Sequence, residues 1–508
     1  MVSLRQRVLR LLDNKQEREA ILLGLTDLKE WPDEYQSVLQ EDYLLQHGPW
    51  AMDGLSKLEP TDDWLVNILK RVLLNIALYG DETTSGEKDF AQVVENFHRE
   101  RPITKHYGPE FKGPPKKPWT VLVYSNQFDN SCFSFNDIKQ GESLINEENV
   151  NIVYCMRRQD WSKEPKNPMK KWCWITRADG NWSGLRYYKV LKGAKPYYEL
   201  NSEVLYETPE VDLDDTTHLA NFISWAVPKF PAQRYCLSIW NHGSHVTGKT
   251  LDSASANNSS LDKLGHDLRD AWKQVEPDKP ISLLLLNSCN LATVEVLAEF
   301  APVTDFAYAC QTRNNTPGDG CFYEWISNEP TIDSKELLQR YFSVQSKASL
   351  HCYERNGIKT AFSATAYDLR KMEAILAQFK ALAQCILKCN LEDRHFEDML
   401  PADEAPFINL EFDLLELLER MAKIDGAIGT RASSFIEVLR GKDSPIVEHM
   451  VNEHIDWVHG LSVLFNRPVT IKKLKELKKS DDVPLPGPSY GKTRFEQITG
   501  WLKSHQGS

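Results

Sequence analysis

The chain has 508 residues, with 60 Lys+Arg against 72 Asp+Glu and a formal net charge of −12 at pH 7. Hydrophobic residues make up 41% and charged residues 26%, a globular composition that excludes a wholly disordered chain. The acidic balance argues against a nucleic-acid-binding surface, no run of about 18 apolar residues offers a membrane span, and the length predicts two or three domains.

The N-terminus, MVSLRQRVLRLLDNKQEREA, interleaves apolar residues with charges and lacks the continuous apolar core of a signal peptide. It predicts a helix from Ser3, with Gln6 as capping-box partner, in a cytoplasmic protein. Residues 1–101 read as a small all-α bundle. Leu4, Val8, Leu11 and Leu12 follow helical spacing, as do Trp64, Leu65, Ile68, Leu69, Val72 and Leu73. Asp62 and Asp63 fall in the first turn of that second segment, where the helix dipole favours them. Residues 1–110 hold 13 basic and 20 acidic side chains, so −7 of the −12 belongs to this end. Residues 102–118 carry Pro102, Gly108, Pro109, Gly113, Pro114, Pro115 and Pro118 and predict a stiff linker.

Residues 119–508 change character. Trp119–Tyr124 (WTVLVY), Val150–Tyr154 (VNIVY), Arg234–Trp240 (RYCLSIW) and Ile281–Leu286 (ISLLLL) are short apolar runs, separated by helical stretches near 134–147, 215–228 and 261–275. Such alternation predicts an α/β domain with a mainly parallel, buried sheet flanked by helices. Residues 171–208 predict an antiparallel insertion. Helices are expected near 334–349, 367–389, 410–424 and 432–440, and a late strand at 457–465. Asp252–Ser260 (DSASANNSS) is a flexible loop by composition.

The ten cysteines form no CxxC pair. Cys385 and Cys389 are four apart on a helical stretch, but nothing nearby completes a zinc set, so no metal site is expected from them. Nine of the ten read as buried thiols.

Cys289 differs. In parallel sheets, functional groups gather beyond the carboxyl ends of strands. RYCLSIW ends in Asn241-His242-Gly243-Ser244, and ISLLLL ends in Asn287-Ser288-Cys289-Asn290. A His and a Cys, 47 residues apart, thus each follow a buried strand. A thiol is mostly un-ionised at pH 7, and a neighbouring imidazole can take its proton. Gly243 allows close approach of a substrate carbonyl, and the amides of Gly243 and Cys289 could hold an oxyanion. Singly, each motif is an ordinary turn or buried thiol; jointly they favour a catalytic dyad.

Trp240–Ser244 (WNHGS) resembles the histidine motif of the clostripain-family cysteine peptidases, relatives of caspases and gingipains. Ser288–Val296 (SCNLATVEV) resembles their cysteine motif. The resemblance extends to WTVLVYSNQFDN, Asp215–Phe230, Pro317-Gly318-Asp319-Gly320, Phe362-Ser363-Ala364 and His459-Gly460-Leu461-Ser462, and so covers residue 119 to the C-terminus. It implies a caspase-haemoglobinase-like fold, with His242 as base and Cys289 as nucleophile. It also implies cleavage after Arg or Lys, with Asp319 and Asn287 at the S1 pocket. Asn287 stands where the family usually has Asp, which removes one charge from the floor. Asp319 between two glycines also reads as a plain turn residue. Self-cleavage in the family points to Lys249, just before the flexible loop. Some members need calcium; Asp212, Asp214 and Asp215 offer carboxylates, but a solvated acidic turn is the stronger reading, so no cofactor is expected. The resemblance implies a protein substrate. The helical bundle is expected to recruit or sense a protein partner, as such modules do in signalling and bacterial defence, or to inhibit. A catalytically inactive binding protein of the same fold, and a peptidase with non-basic P1 preference, are the alternatives.

Overall fold

The computed structural model describes residues 115–125, 131–158, 179, 182–193, 200–208, 217–240, 261–312, 319–355, 362–388, 411–451 and 458–464. Residues 1–101, the expected bundle, lie outside them. The described chain runs β1 (Lys117–Ser125), α1 (Ser131–Leu144), β2 (Val150–Arg158), β3 (Gly184–Lys189), β4 (Glu203–Thr208), α2 (Thr217–Lys229), β5 (Ala232–Trp240), α3 (Leu261–Val275), β6 (Ile281–Asn287), α4 (Val294–Phe300), β7 (Thr304–Ala309), α5 (Gly320–Asn328), α6 (Ser334–Arg355), β8 (Ser363–Asp368), α7 (Met372–Lys388), β9 (Glu411–Asp413), α8 (Leu414–Met421), α9 (Ala427–Arg440), β10 (Ile446–Val451) and β11 (Ser462–Leu464).

Nine strands form one sheet in the order β10-β8-β7-β6-β5-β1-β2-β3-β4. The central strands β7, β6, β5, β1 and β2 are parallel. Antiparallel strands extend both edges: β8 and β10 on one side, β3 and β4 on the other. β9 and β11 make a separate antiparallel pair. Chain order reverses direction around β1, which has β2 on one side and β5 on the other.

The apolar runs exist because the central strands have no solvent face. β2 and β6 are buried throughout. Alternate residues enter different cores: Leu283 and Leu285 pack with α1, α5 and α6, whereas Leu284 and Leu286 pack with α2, α3, α4, α7, α8 and α9. Each such leucine contributes about 1.5–3 kcal/mol by burial. The result is a mostly parallel sheet between two helical layers, the α/β architecture expected from the sequence.

Several elements differ in detail from the sequence expectation. The stretch expected as a helix from 367 begins with the last residues of β8 and turns helical at Met372. Ser363–Asp368 (SATAYD) is rich in small residues with weak strand preference, so packing decides it. The helix expected at 410–424 opens as β9, with Asp413 then capping α8 through the Glu416 amide. Of the late strand expected at 457–465, Ser462–Leu464 is strand, and ahead of it Gly460 turns the chain at φ +98°. The positive φ favours glycine, and a Cβ there would also crowd His449, at 3.1 Å from its Nδ1. No described helix is long and apolar enough to cross a membrane.

Candidate active site

The parallel register between β5 and β6 pairs Trp240 with Asn287. Both strands end there, so His242 and Cys289 each follow their strand end by two residues. His242, Gly243 and Lys249 lie outside the described residues, as do Asp212, Asp214 and Asp215. Among the described residues no group of three or more His, Cys, Asp or Glu could hold a metal ion.

Cys289 is partly exposed and sits on a tightly held turn between β6 and α4. The next residue, Asn290, has φ 55°, a left-handed conformation that Asn tolerates better than most side chains. Its amide donates to Thr312 O at 2.9 Å, and the amides of Leu291 and Ala292 donate to Cys310 O at 2.9 and 3.0 Å. Thr293 caps α4, its Oγ1 accepting from the Val296 amide at 3.2 Å. On the far side, the Ser462 amide of β11 donates to Ala292 O at 2.9 Å. The turn is therefore clamped between the end of β7 and the β9–β11 pair. Cys310 lies within this clamp; burial pushes its thiol up to about 12, and the charge on Cys289 adds to the effect. Cys310 is thus an un-ionised thiol beside the exposed one.

Asp319 and Asn287 are brought together. Asp319 is fully buried at the start of α5. Its Oδ2 accepts from Ser238 Oγ at 2.8 Å and from Trp240 Nε1 at 3.2 Å. Its Oδ1 accepts from Tyr341 Oη at 2.7 Å and from Asn287 Nδ2 at 3.2 Å. Ser238, Trp240 and Asn287 lie on the same sheet face, since side chains alternate along strands and the two strands are in register. Burial raises the Asp319 carboxyl above the usual range, opposed by those four hydrogen bonds. The Asn287 amide donates where a carboxylate would repel, so Asn at this position suits a buried Asp319.

Two buried carboxylates, Asp137 and Asp413, escape the sequence reading. Asp137 on α1 is buried beside Asp319; its Oδ1 accepts the Asp319 amide at 2.7 Å and its Oδ2 accepts Tyr323 Oη at 2.5 Å. Burial and the Asp319 charge raise its carboxyl well above the usual range. Asp137 stands 182 residues from Asp319, and no local motif marks it. The second group centres on Asp413. His459 Nδ1 lies 2.9 Å from Asp413 Oδ1, and Gln311 Nε2 donates to Asp413 Oδ2 at 3.0 Å and to Ser462 Oγ at 2.8 Å. The Asp413 hydrogen bond raises the His459 pKa against partial burial. This cluster ties the end of β7 to the segment that holds the Cys289 turn.

The clostripain family model matches residues 122–425. An inactive zymogen C11 protease from Parabacteroides distasonis is similar at 15% identity and TM-score 0.48, over 72% of this chain and 96% of that one. A secreted C11 cysteine protease from Bacteroides thetaiotaomicron, iotapain, is similar at 12% identity and TM-score 0.48, over 71% and 98%. A structure of a secreted C11 cysteine protease from the same organism with an irreversible peptide inhibitor is similar at 14% identity and TM-score 0.47, over 72% and 97%. No curated protein matches. With more than half of its residues matched by the family model, and with a partly exposed cysteine on a clamped turn at the carboxyl end of a parallel strand, the chain belongs to the clostripain family of cysteine peptidases.

Proposed function

We propose that the protein is a cysteine endopeptidase working through Cys289 and His242, with a preference for Arg or Lys at P1. The observation that carries this reading is the Trp240–Asn287 register, which sets side by side the strand ends leading to His242 and Cys289. The Cys289 thiolate attacks the scissile carbonyl, and His242 takes up the thiol proton and returns one to the leaving amine. The amides of Gly243 and Cys289 hold the oxyanion, and water then hydrolyses the thioester. Asp319 supplies the negative charge for a basic P1 side chain.

A thiol-alkylating reagent tests the nucleophile. Cys289 is expected to label in the native protein and to lose labelling in His242→Ala, whereas native protein unlabelled at Cys289 overturns the assignment. Peptides with Arg, Lys and Asp at P1 then test specificity, with calcium present in one arm and chelated in another. The second reading, a non-basic P1, is favoured by one observation: four donors already occupy the Asp319 carboxylate. A cationic P1 group must displace or share one of them.

Regulation by residues 1–101 belongs to the same proposal, as does a cytoplasmic role in signalling or bacterial defence. Their acidity suits a protein-binding module, and cleavage at Lys249 would be a further control. β1 starts at Lys117 and lies in the middle of the sheet, so a chain starting at Lys116 keeps every sheet strand among the described residues. A large gain in activity on truncation supports inhibition, and loss of response to a partner supports recruitment. An intact mass that differs from that of Cys289→Ala only by the substituted side chain counts against self-cleavage.

A further inference from the structure

We infer that Asp137 is a positioning residue for specificity: it accepts the Asp319 backbone amide at the start of α5, and so fixes the residue whose carboxylate is bonded to β5, β6 and α6. The inference rests on Asp319 serving as the S1 carboxylate.

An aspartate at a helix N-cap ordinarily turns its side chain back to the amides of its own first turn. Asp319 is the N-cap of α5, yet its side chain makes no capping bond. All four donors to its carboxylate come from elsewhere: Ser238 and Trp240 on β5, Asn287 on β6 and Tyr341 on α6. The backbone amide of Asp319 itself donates to Asp137 Oδ1, on α1, at 2.7 Å. In a capping box a Glu or Gln three residues into the helix accepts this same amide. That position in α5 is Phe322, which cannot accept, and Asp137 fills the role from another helix. A carboxylate at a helix N-terminus is also favoured by the helix dipole.

Two further contacts fix Asp137 there. Its second oxygen accepts Tyr323 Oη one turn along α5. Gly320 lets α1 and α5 approach closely, since a Cβ on it would fall 2.3 Å from Gln140 Oε1 and 3.0 Å from Gln140 Cβ. α1 therefore presses Asp137 onto the mouth of α5. Both carboxylates are buried, and no Lys or Arg offsets either one among the described residues. The Asp319 carboxylate is thereby held against Ser238, Trp240 and Asn287 near the strand ends and against Tyr341 on α6, and a cationic P1 side chain would share or displace one of these donors.

The test compares full-length wild type with Asp137→Ala, Asp137→Asn and Asp319→Asn on two peptides that differ only in Arg or norleucine at P1. The readout is the ratio of their kcat/KM values, with KM and kcat resolved and folding checked by thermal melting. Asp137→Ala is expected to lower the ratio at least tenfold, mainly by raising KM for the Arg peptide. Asp137→Asn is expected to lower it about threefold, because its amide oxygen still accepts the Asp319 N–H. A merely structural role slows both peptides alike and leaves the ratio unchanged, which overturns the inference. If Asp137→Ala does not fold, an unchanged ratio in Asp137→Asn does the same. A wild-type ratio near one overturns the Asp319 reading itself. A high ratio lost in Asp319→Asn but kept in both Asp137 variants overturns the role of Asp137 alone.

Discussion

Trp240 and Asn287 are register partners at the ends of adjacent parallel strands, and both donate hydrogen bonds to the carboxylate of Asp319. One pairing thus aligns the ends of β5 and β6 and also organises the buried Asp319. The candidate nucleophile Cys289 follows by two residues Asn287, whose amide donates to the candidate specificity group Asp319. The predictions below separate the part of the acid in specificity from the reactivity of the thiol.

Asp319→Asn removes the charge but keeps an oxygen acceptor. Cleavage after Arg or Lys is expected to fall about 10- to 100-fold in kcat/KM, the size of one charged hydrogen bond. Alkylation of Cys289 is expected to persist. Loss of alkylation would mean that Asp319 supports the thiol and not specificity.

Asn287→Asp restores a carboxylate 3.2 Å from the Asp319 oxygen and removes a donor. The cost is expected to be about 1–3 kcal/mol at neutral pH. Like charges raise the folded-state pKa of the pair above its unfolded value. Stability contributed by the shared proton is therefore present at low pH and lost as pH rises through that folded pKa. Melting temperatures from pH 5 to 8 should show the variant closest to wild type at pH 5, and a deficit independent of pH would refute the coupling.

Asn290 adopts φ 55° directly after the nucleophile. Asn290→Gly relieves the backbone and is expected to fold with wild-type stability and retain Cys289 labelling. Asn290→Val forces a β-branched residue into the left-handed region and is expected to lose at least about 1–2 kcal/mol, with slower labelling. Equal behaviour of the two variants in melting and labelling assays would show that the turn relaxes.

His459 has its pKa raised by Asp413. A raised folded-state pKa means that the His459–Asp413 pair contributes fully below the unfolded value near 6.5, and that this contribution is lost as pH rises through the folded pKa. The difference in melting temperature between wild type and His459→Gln is expected to shrink from pH 6 to pH 9. A constant difference would assign His459 a packing role only. His449 is the internal contrast, because burial lowers its pKa and gives the opposite sign.

The central strands were legible because burial on both faces imposes apolar runs, and WTVLVY, RYCLSIW and ISLLLL stand at β1, β5 and β6. The candidate dyad was proposed for a related reason: a polar His or Cys at the abrupt end of such a run is visible against it. β8 and β10 were not. SATAYD lacks strand-forming bulk, and every residue of Ile446–Val451 is half-buried, so neither carries a clear periodic signal.

Sequence alone determined the α/β alternation, the family resemblance and the residue types at the strand ends, since these depend on neighbours a few positions apart. Tertiary structure alone decided what those residues touch. Asp319 read equally as a turn residue; its burial under β5, β6 and α6 is set by elements up to 81 residues away. Asp137 carried no signal, because its partner lies 182 residues along the chain and a single buried carboxylate follows no periodicity. Side-chain pairing across distant elements depends on packing geometry, which local pattern does not encode.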